Sequence, residues 1–151
     1  MAKMYVDNGV VSSPHQSGSL EGGMNAGTSS DLSIDQWTKL VADLPLVAQP
    51  GTEWNYSIGM DVLGRLVEVI SGKSYSDFLS ERIFKPLGMV DTGFHVPDDK
   101  LRRFAANYVP SPNGGMQLFD DPQTSSYRNP PTLEMGGSGL VGTVGDYLKF
   151  A

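Results

Sequence analysis

The sequence contains no cysteine and only two histidines, His15 and His95. Without cysteine there can be no disulfide, no thiol catalysis and no zinc or iron–sulfur site built on thiolates. His95 has Asp91, Asp98 and Asp99 nearby, but their spacing matches no ordered metal site, and it is more typical of a solvated loop. We therefore expect neither a metal ion nor a cofactor.

Basic charge is also scarce. The chain of 151 residues has 17 acidic and 11 basic side chains, a net charge of −6, and a pI of about 4.7. This balance argues against nucleic-acid partners and against docking on an anionic membrane. No apolar run approaches the ~18 residues that a membrane span needs. The first residues show no apolar signal-peptide region, which predicts a cytoplasmic location unless a leader precedes them.

Serine hydrolase motifs are missing too. The sequence has no Gly-x-Ser-x-Gly, no Ser-x-x-Lys and no Lys-Thr-Gly, so it offers no recognisable activated nucleophile. Residues 137–142 match Gly-x-Gly-x-x-Gly, but the preceding Pro130-Pro131 stretch is a poor strand for a dinucleotide site. We expect these glycines to permit close backbone packing ahead of a helix.

Helical patterns dominate what is present. Residues 1–30 lack periodicity and predict a surface loop or a disordered arm. Residues 31–85 predict three helices: one opened by a Ser33–Gln36 capping box, one over 58–71 capped by Ser57, and one ended by Pro86.

The middle helix carries apolar residues on most of its circumference, which predicts deep burial. Its charged side chains predict a pair between Asp61 and Arg65, and the third helix predicts a pair between Glu81 and Lys85.

The second half predicts short extended elements. Residues 94–96 suggest a strand, and 104–109 and 116–119 suggest a hairpin around a turn at 111–115. Thr143 with Asp146 opens a further helix near the end. The fold class is therefore α+β, an α-rich helical cluster with a short β-hairpin.

One polar aromatic segment stands out: Trp54-Asn55-Tyr56-Ser57, between a Pro50-Gly51 turn and the middle helix. The local pattern favours Tyr56 as an interior aromatic whose hydroxyl is hydrogen-bonded. The other interpretation is a phenol placed at a helix start for acid–base work. A free tyrosine titrates near ~10, so that role needs a neighbouring cation, which no pattern here supplies.

A resemblance favours the second interpretation. The string PGTEWNYSIGMDVLGRLVEVISGKSYSDFLSERIFKPLGMVDTGF at 50–94 resembles the central region of β-lactamase-related serine hydrolases, and is most similar to their family VIII carboxylesterases. The resemblance runs from about Asp31 to the end and includes GGSGLVGTVGDYLKFA at 136–151. It implies part of the β-lactamase/penicillin-binding fold, with residues 31–151 as its helical, substrate-flanking portion.

The same resemblance implies a site. The family's second catalytic motif falls on Tyr56-Ser57-Ile58, which makes Tyr56 a general base or proton relay beside the lysine of a Ser-x-x-Lys motif. It implies that Ser57 and Ile58 contact a small-molecule ester. From the placement of aromatic residues, we also expect Trp54 and the 104–119 hairpin to line the acyl pocket. Ile58 stands where β-lactam and peptide enzymes carry asparagine, which favours ester substrates. The implied reaction is acyl transfer through an acyl-enzyme.

Two hypotheses follow from the missing nucleophile and from a last helix that has barely begun at Ala151. In the first, the chain is an incomplete, central piece of such an esterase, with the serine supplied from outside these residues. In the second, it is a non-catalytic binding or oligomerisation module derived from that fold. In either case we expect association through exposed apolar surface or with a complementing chain.

Overall fold

The computed structural model describes residues 32–151. The arm predicted for 1–30 lies outside the described residues. Along the described part run helices, a hairpin and short 3-10 turns, in this order: α1 (Ile34–Ala42), α2 (Gly59–Ser71), α3 (Tyr75–Leu79), a π-helical turn (Ser80–Phe84), α4 (Lys85–Leu87), a 3-10 turn (Asp98–Arg103), β1 (Asn107–Pro110), β2 (Met116–Asp120), a 3-10 turn (Ser126–Arg128) and α5 (Val144–Phe150). This confirms the α+β class.

Helix ends follow the predicted caps in most places. The side chain of Ser33 accepts a hydrogen bond from the Gln36 amide, and the Gln36 side chain accepts one from the Ser33 amide. Gly72 ends α2 with a left-handed φ of 68°. Thr143 caps α5 by accepting from the Asp146 amide. The predicted cap at Ser57 is wrong: Ile58 holds the N-cap position of α2, with no side-chain cap bond.

The third helix was predicted to end at Pro86, and this prediction is wrong. The chain continues through the π-helical turn into α4, where Pro86 lies in the first turn. Pro86 has no amide hydrogen to donate to the preceding turn, and the helical run ends one residue later, at Leu87. Nor does the predicted Glu81–Lys85 pair form, since a π turn changes the spacing of residues four apart; Glu81 bonds Lys73 instead.

The predicted hairpin is confirmed, with a first strand shorter than the predicted 104–109 and a second strand one residue longer than the predicted 116–119. β1 and β2 pair antiparallel, with Tyr108 opposite Leu118 and Val109 opposite Gln117. The predicted strand at 94–96 is absent. In its place, Gly93 forms an isolated antiparallel bridge with Val141, which ties the two chain segments together through two backbone hydrogen bonds of 3.0 and 2.8 Å.

Buried apolar residues form two clusters. The first joins α1, the start of α2 and the 133–135 segment, through Ile34, Trp37, Ile58, Leu133 and Met135. The second lies under α3 and the turns after it, through Leu79, Phe84, Met89 and Phe94. The first cluster is the one that supports the Tyr56 segment.

The predicted deep burial of α2 is wrong for the described residues. Its buried residues are Asp61 and Gly64, and its apolar side chains are largely exposed, with Ile70 77% and Met60 62% exposed. The stripe is apolar, but no described element covers it. The predicted Asp61–Arg65 pair is also wrong. Arg65 bonds Asp35 and Glu68, which reach it from α1 and from the next turn, while Asp61 points elsewhere.

Within residues 32–151 no helix has the length and apolarity to cross a bilayer.

Candidate active-site segment

A tight turn leads the chain into the Tyr56 segment. The Thr52 amide and hydroxyl both donate to the Gln49 carbonyl, at 3.1 and 2.7 Å. Gly51 has a φ of 82°, as the third position of a type II turn requires, and Pro50 presets the position before it. Residues 53–57 then run without regular structure to the start of α2.

Tyr56 stands out from this segment into solvent. Its side chain is 80% exposed, and that of Trp54 is 83% exposed. The two rings lie with centroids 6.3 Å apart and tilted by 42°. Among the described residues, no hydrogen bond to the Tyr56 hydroxyl is found. The interpretation of Tyr56 as an interior aromatic is therefore wrong within residues 32–151, where the phenol is open to solvent.

Ile58 anchors the other end of the segment. Its side chain is only 5% exposed and packs in the first cluster with Trp37, Leu133 and Met135. Burying such a side chain contributes roughly 1.5–3 kcal/mol relative to exposing it. Any contact of Ile58 with substrate would therefore go through its backbone, while Trp54 and the half-buried Ser57 keep their side chains nearer to solvent.

Immediately after Ile58, the first turn of α2 touches the glycine segment. A Cβ added to Gly136 would lie 2.0 Å from the Met60 carbonyl oxygen, so only glycine allows this approach. Beside it, Oδ1 of Asp61 accepts a hydrogen bond of 2.8 Å from the Gly137 amide. Gly136 lies just outside the motif at 137–142. Within that motif, a Cβ on Gly137 would lie 3.1 Å from Oδ1 of Asp61 and one on Gly142 would lie 3.1 Å from the Thr92 hydroxyl, and no strand precedes these glycines.

Asp61 is 3% exposed, and burial raises the pKa of its carboxyl, against the opposing effect of the Gly137 hydrogen bond. Sequence patterns predicted an ion pair between Asp61 and Arg65 and did not identify the contact of Asp61 with the Gly137 amide. Two features of the sequence bear on this contact. Asp61 is an acid in the first turn of a helix, five residues after Tyr56, and a glycine-rich segment that contains Gly137 occurs far along the chain.

A second buried carboxylate holds the far end of the glycine segment. Asp146 is 2% exposed; its Oδ2 accepts from the Asp91 amide at 2.7 Å and from the Thr92 hydroxyl at 3.0 Å. Its Oδ1 pairs with Lys149 at 2.8 Å. Together with the Gly93–Val141 bridge, this fixes the start of α5 against the loop at 90–93. Two buried acids, Asp61 and Asp146, thus bracket residues 136–142.

One cavity in the described part of the chain does not include Tyr56 in its lining. It has a volume of about 660 Å³ and is lined in part by Met89, Phe94 and Phe104. His95 borders it, but no group of three or more potential metal-binding side chains occurs in residues 32–151. Asp91 pairs with Lys100 and Arg103 at 3.0 and 2.8 Å.

Comparison with known proteins places the chain. Residues 13–151 match the Beta-lactamase family, so the match begins ahead of Asp31, where the resemblance in the sequence starts. The lovastatin esterase of Penicillium rubens is 41% identical over 108 residues, which are 70% of this chain and 27% of that protein. Esterase EstB of Burkholderia gladioli is 31% identical over 135 residues, covering 79% of this chain and 33% of that protein.

Solved structures agree. The structure of EstCE1, described as a hydrolase with promiscuous acyltransferase activity, superposes with a TM-score of 0.61 at 27% identity, covering 80% of this chain and 35% of that one. The fold is therefore that of β-lactamase-related serine hydrolases. The chain belongs to the Beta-lactamase family, and it spans about a quarter to a third of the length of these relatives.

Proposed function

We propose that this chain is the tyrosine-bearing part of a serine hydrolase that cleaves carboxylic esters through an acyl-enzyme. A serine outside these residues attacks the ester carbonyl, and its hydroxyl proton passes to a base that includes Tyr56. The alcohol leaves after taking that proton, and water then releases the acid from the acyl-enzyme. The ester is a small molecule, and no metal or cofactor takes part in these steps.

The observation that carries the proposal is the presentation of Tyr56. A side chain that packs in a core has its position set by its neighbours, but Tyr56 is 80% exposed, and its ring lies beside that of Trp54. The chain on both sides is nevertheless held, by the turn at Gln49–Thr52 and by buried Ile58. An accessible phenol on an anchored segment suits proton transfer, since such groups must be within hydrogen-bond reach of the reacting atoms.

The cation that a basic phenol requires is not supplied within residues 32–151, where no lysine or arginine bonds to Tyr56. In the family that this chain resembles, the lysine of Ser-x-x-Lys has this place. The sequence contains no such motif, so nucleophile and cation both come from outside the 151 residues. In this proposal, a further part of a longer chain or a complementing polypeptide supplies the nucleophile and the cation.

Two relatives support ester substrates. The lovastatin esterase and EstB are both named as esterases. Ile58 is consistent with the same choice, because its apolar side chain packs in the first cluster and position 58 therefore presents no amide to the polar groups of a peptide or β-lactam. In this arrangement Trp54, with its exposed ring, and Ser57 flank the phenol and would border the acyl group.

The test measures hydrolysis of p-nitrophenyl butyrate by the natural polypeptide that carries these residues. Removing one acid–base group costs about 10²–10⁴-fold in rate, so Tyr56→Phe should lower kcat by about that factor. The melting temperature should not move, because the hydroxyl is solvent-exposed. Tyr147→Phe is the matched control, since Tyr147 is 68% exposed on α5 and lies outside the segment. Equal rates for the two variants would contradict a catalytic Tyr56.

A second function is a binding or oligomerisation module without catalysis. The observation that favours it is the exposed apolar surface of α2 and α5, where Ile70 and Leu148 are 77% and 71% exposed. It predicts a cooperative melt and saturable association with no turnover of p-nitrophenyl esters. Turnover that Tyr56→Phe abolishes would exclude it.

A further inference from the structure

A hydrogen bond and close backbone contact between α2 and the glycine segment fix the start of α2, and this bears on the position of Tyr56. Asp61 reaches out of the first turn of α2 and accepts the Gly137 amide at 2.8 Å, a contact between residues 76 positions apart. At the same place, a Cβ on Gly136 would lie 2.0 Å from the Met60 carbonyl oxygen, and a Cβ on Gly64 would lie 3.3 Å from Gly136 Cα. The two backbones are therefore in contact, and the Asp61 bond sets their register.

The same stretch of chain also supports Ile58. Leu133 and Met135, just before Gly136, pack in one cluster with Ile58 and Trp37. Residues 133–137 thus form a shelf that touches the N-cap of α2 by apolar contact and its first turn by a hydrogen bond. Apolar contact is non-directional, whereas the bond from Gly137 to a buried carboxylate fixes an angle and a distance.

Tyr56 lies two residues before this N-cap, and its side chain is 80% exposed, with its ring beside that of Trp54. Its place in space is consequently set by the backbone that leads into α2. We propose that Asp61 is a positioning residue for Tyr56: by holding the first turn of α2 to the Gly137 amide, it sets where the phenol stands relative to the reacting ester. This inference rests on the proposed ester hydrolysis with Tyr56 as proton relay.

The size of the effect follows from geometry. A displacement of about 1 Å at a catalytic group costs up to ~10²-fold in rate. Asp61→Ala removes the acceptor and should lower kcat by about 10–100-fold with KM changed less than about threefold, because substrate is still bound but the proton relay is misplaced. Asp61→Asn keeps a carbonyl oxygen that can accept from Gly137, and it should recover most of the lost kcat.

The decisive experiment is a double-mutant cycle in the natural polypeptide, with p-nitrophenyl butyrate as the substrate. In a Tyr56→Phe background, Asp61→Ala should cause no more than about a threefold further loss, because it acts through the phenol that is already gone. Glu68→Ala is the matched control: it removes an acid of α2 that bonds Arg65 and the Tyr75 amide but not the shelf, and it should leave kcat unchanged.

Each failure has its own signature. If the wild-type polypeptide has no esterase activity, or if Tyr56→Phe keeps full kcat, the proposed function fails and this inference falls with it. If Tyr56→Phe lowers kcat but Asp61→Ala lowers it by the same factor in both backgrounds, only the positioning role is overturned. Should Asp61→Ala not fold, Asp61→Ser, which is too short to reach Gly137, takes its place in the cycle and is judged by the same outcomes.

Discussion

Substituting Gly136 by alanine is the most direct test of the contact between α2 and the shelf at 133–137. The added Cβ would lie 2.0 Å from the Met60 carbonyl oxygen, and ordinary contact begins at 3.4 Å. Both partners are backbone, so neither can rotate away, and α2 must move off the shelf. The hydrogen bond from Gly137 to Asp61, 2.8 Å long, would be broken by such a shift.

The expected cost combines two effects. Overpacking in a well-packed site costs typically ~1–3 kcal/mol, and losing a hydrogen bond to a charged group costs about 1.5–3 kcal/mol. Gly136→Ala should therefore lower the free energy of unfolding by about 3–5 kcal/mol. In a chain of this size that corresponds to a fall in melting temperature of roughly 10 °C.

The assay is urea unfolding followed by far-UV circular dichroism, with Gly59→Ala as the control. Gly59 begins α2, its φ is not positive, and a Cβ there would meet nothing within 4 Å. Alanine is the better helix former by up to ~1 kcal/mol, so the control should be neutral or stabilising. If Gly136→Ala unfolds within about 1 kcal/mol of Gly59→Ala, the shelf contact described here is wrong.

Two further outcomes concern charge and association. The hydrogen bonds from Arg103 and Lys100 hold the pKa of Asp91 at about 2, against 3.8 for the free group, so this carboxylate stabilises the fold above about pH 4 and loses its contribution as the pH falls toward 2. The stability difference between wild type and Asp91→Asn in urea unfolding should shrink over that window, and a difference unchanged down to pH 2 would contradict it. Replacing Leu66 and Ile70 on α2 together by glutamate should reduce self-association of the isolated chain, measured by light scattering, and its binding of an apolar dye, measured by fluorescence. Val90→Glu should reduce neither, because Val90 is 71% exposed, close to the 77% of Ile70, but lies outside α2 and α5.

Local signals in the sequence predicted the helix ends where one side chain decides the outcome. Ser33 with Gln36, Gly72 and Thr143 each act through neighbours within a few residues, so their patterns can be read directly. The predictions at Ser57 and Pro86 are wrong because neighbouring structure decides those helix ends. Ser57 lies one residue before the actual N-cap, and Pro86 lies in α4, which directly follows a π-helical turn.

Burial was predicted poorly because it depends on partners distant in sequence. The apolar stripe of α2 indicated an interior helix, but none of the described elements covers it, while Asp61 on the same helix is buried by residues 76 positions further on. Periodicity shows which face is apolar and not what lies against it. The same limit applies to Tyr56, whose aromatic character favoured the interior although it is 80% exposed.

These two departures point the same way. A chain that buried its own aromatics would hide Tyr56 and cover α2, and it would gain the apolar stabilisation of both. In residues 32–151, the polar Asp61 is buried and fixes one backbone contact, while Tyr56 and the apolar face of α2 are exposed to solvent. Within residues 32–151, an exposed phenol without a hydrogen-bond partner and an uncovered apolar stripe contribute little to stability. The proposed cation from outside these residues would give the phenol a partner, whereas the stripe gains stabilisation only from apolar surface that covers it.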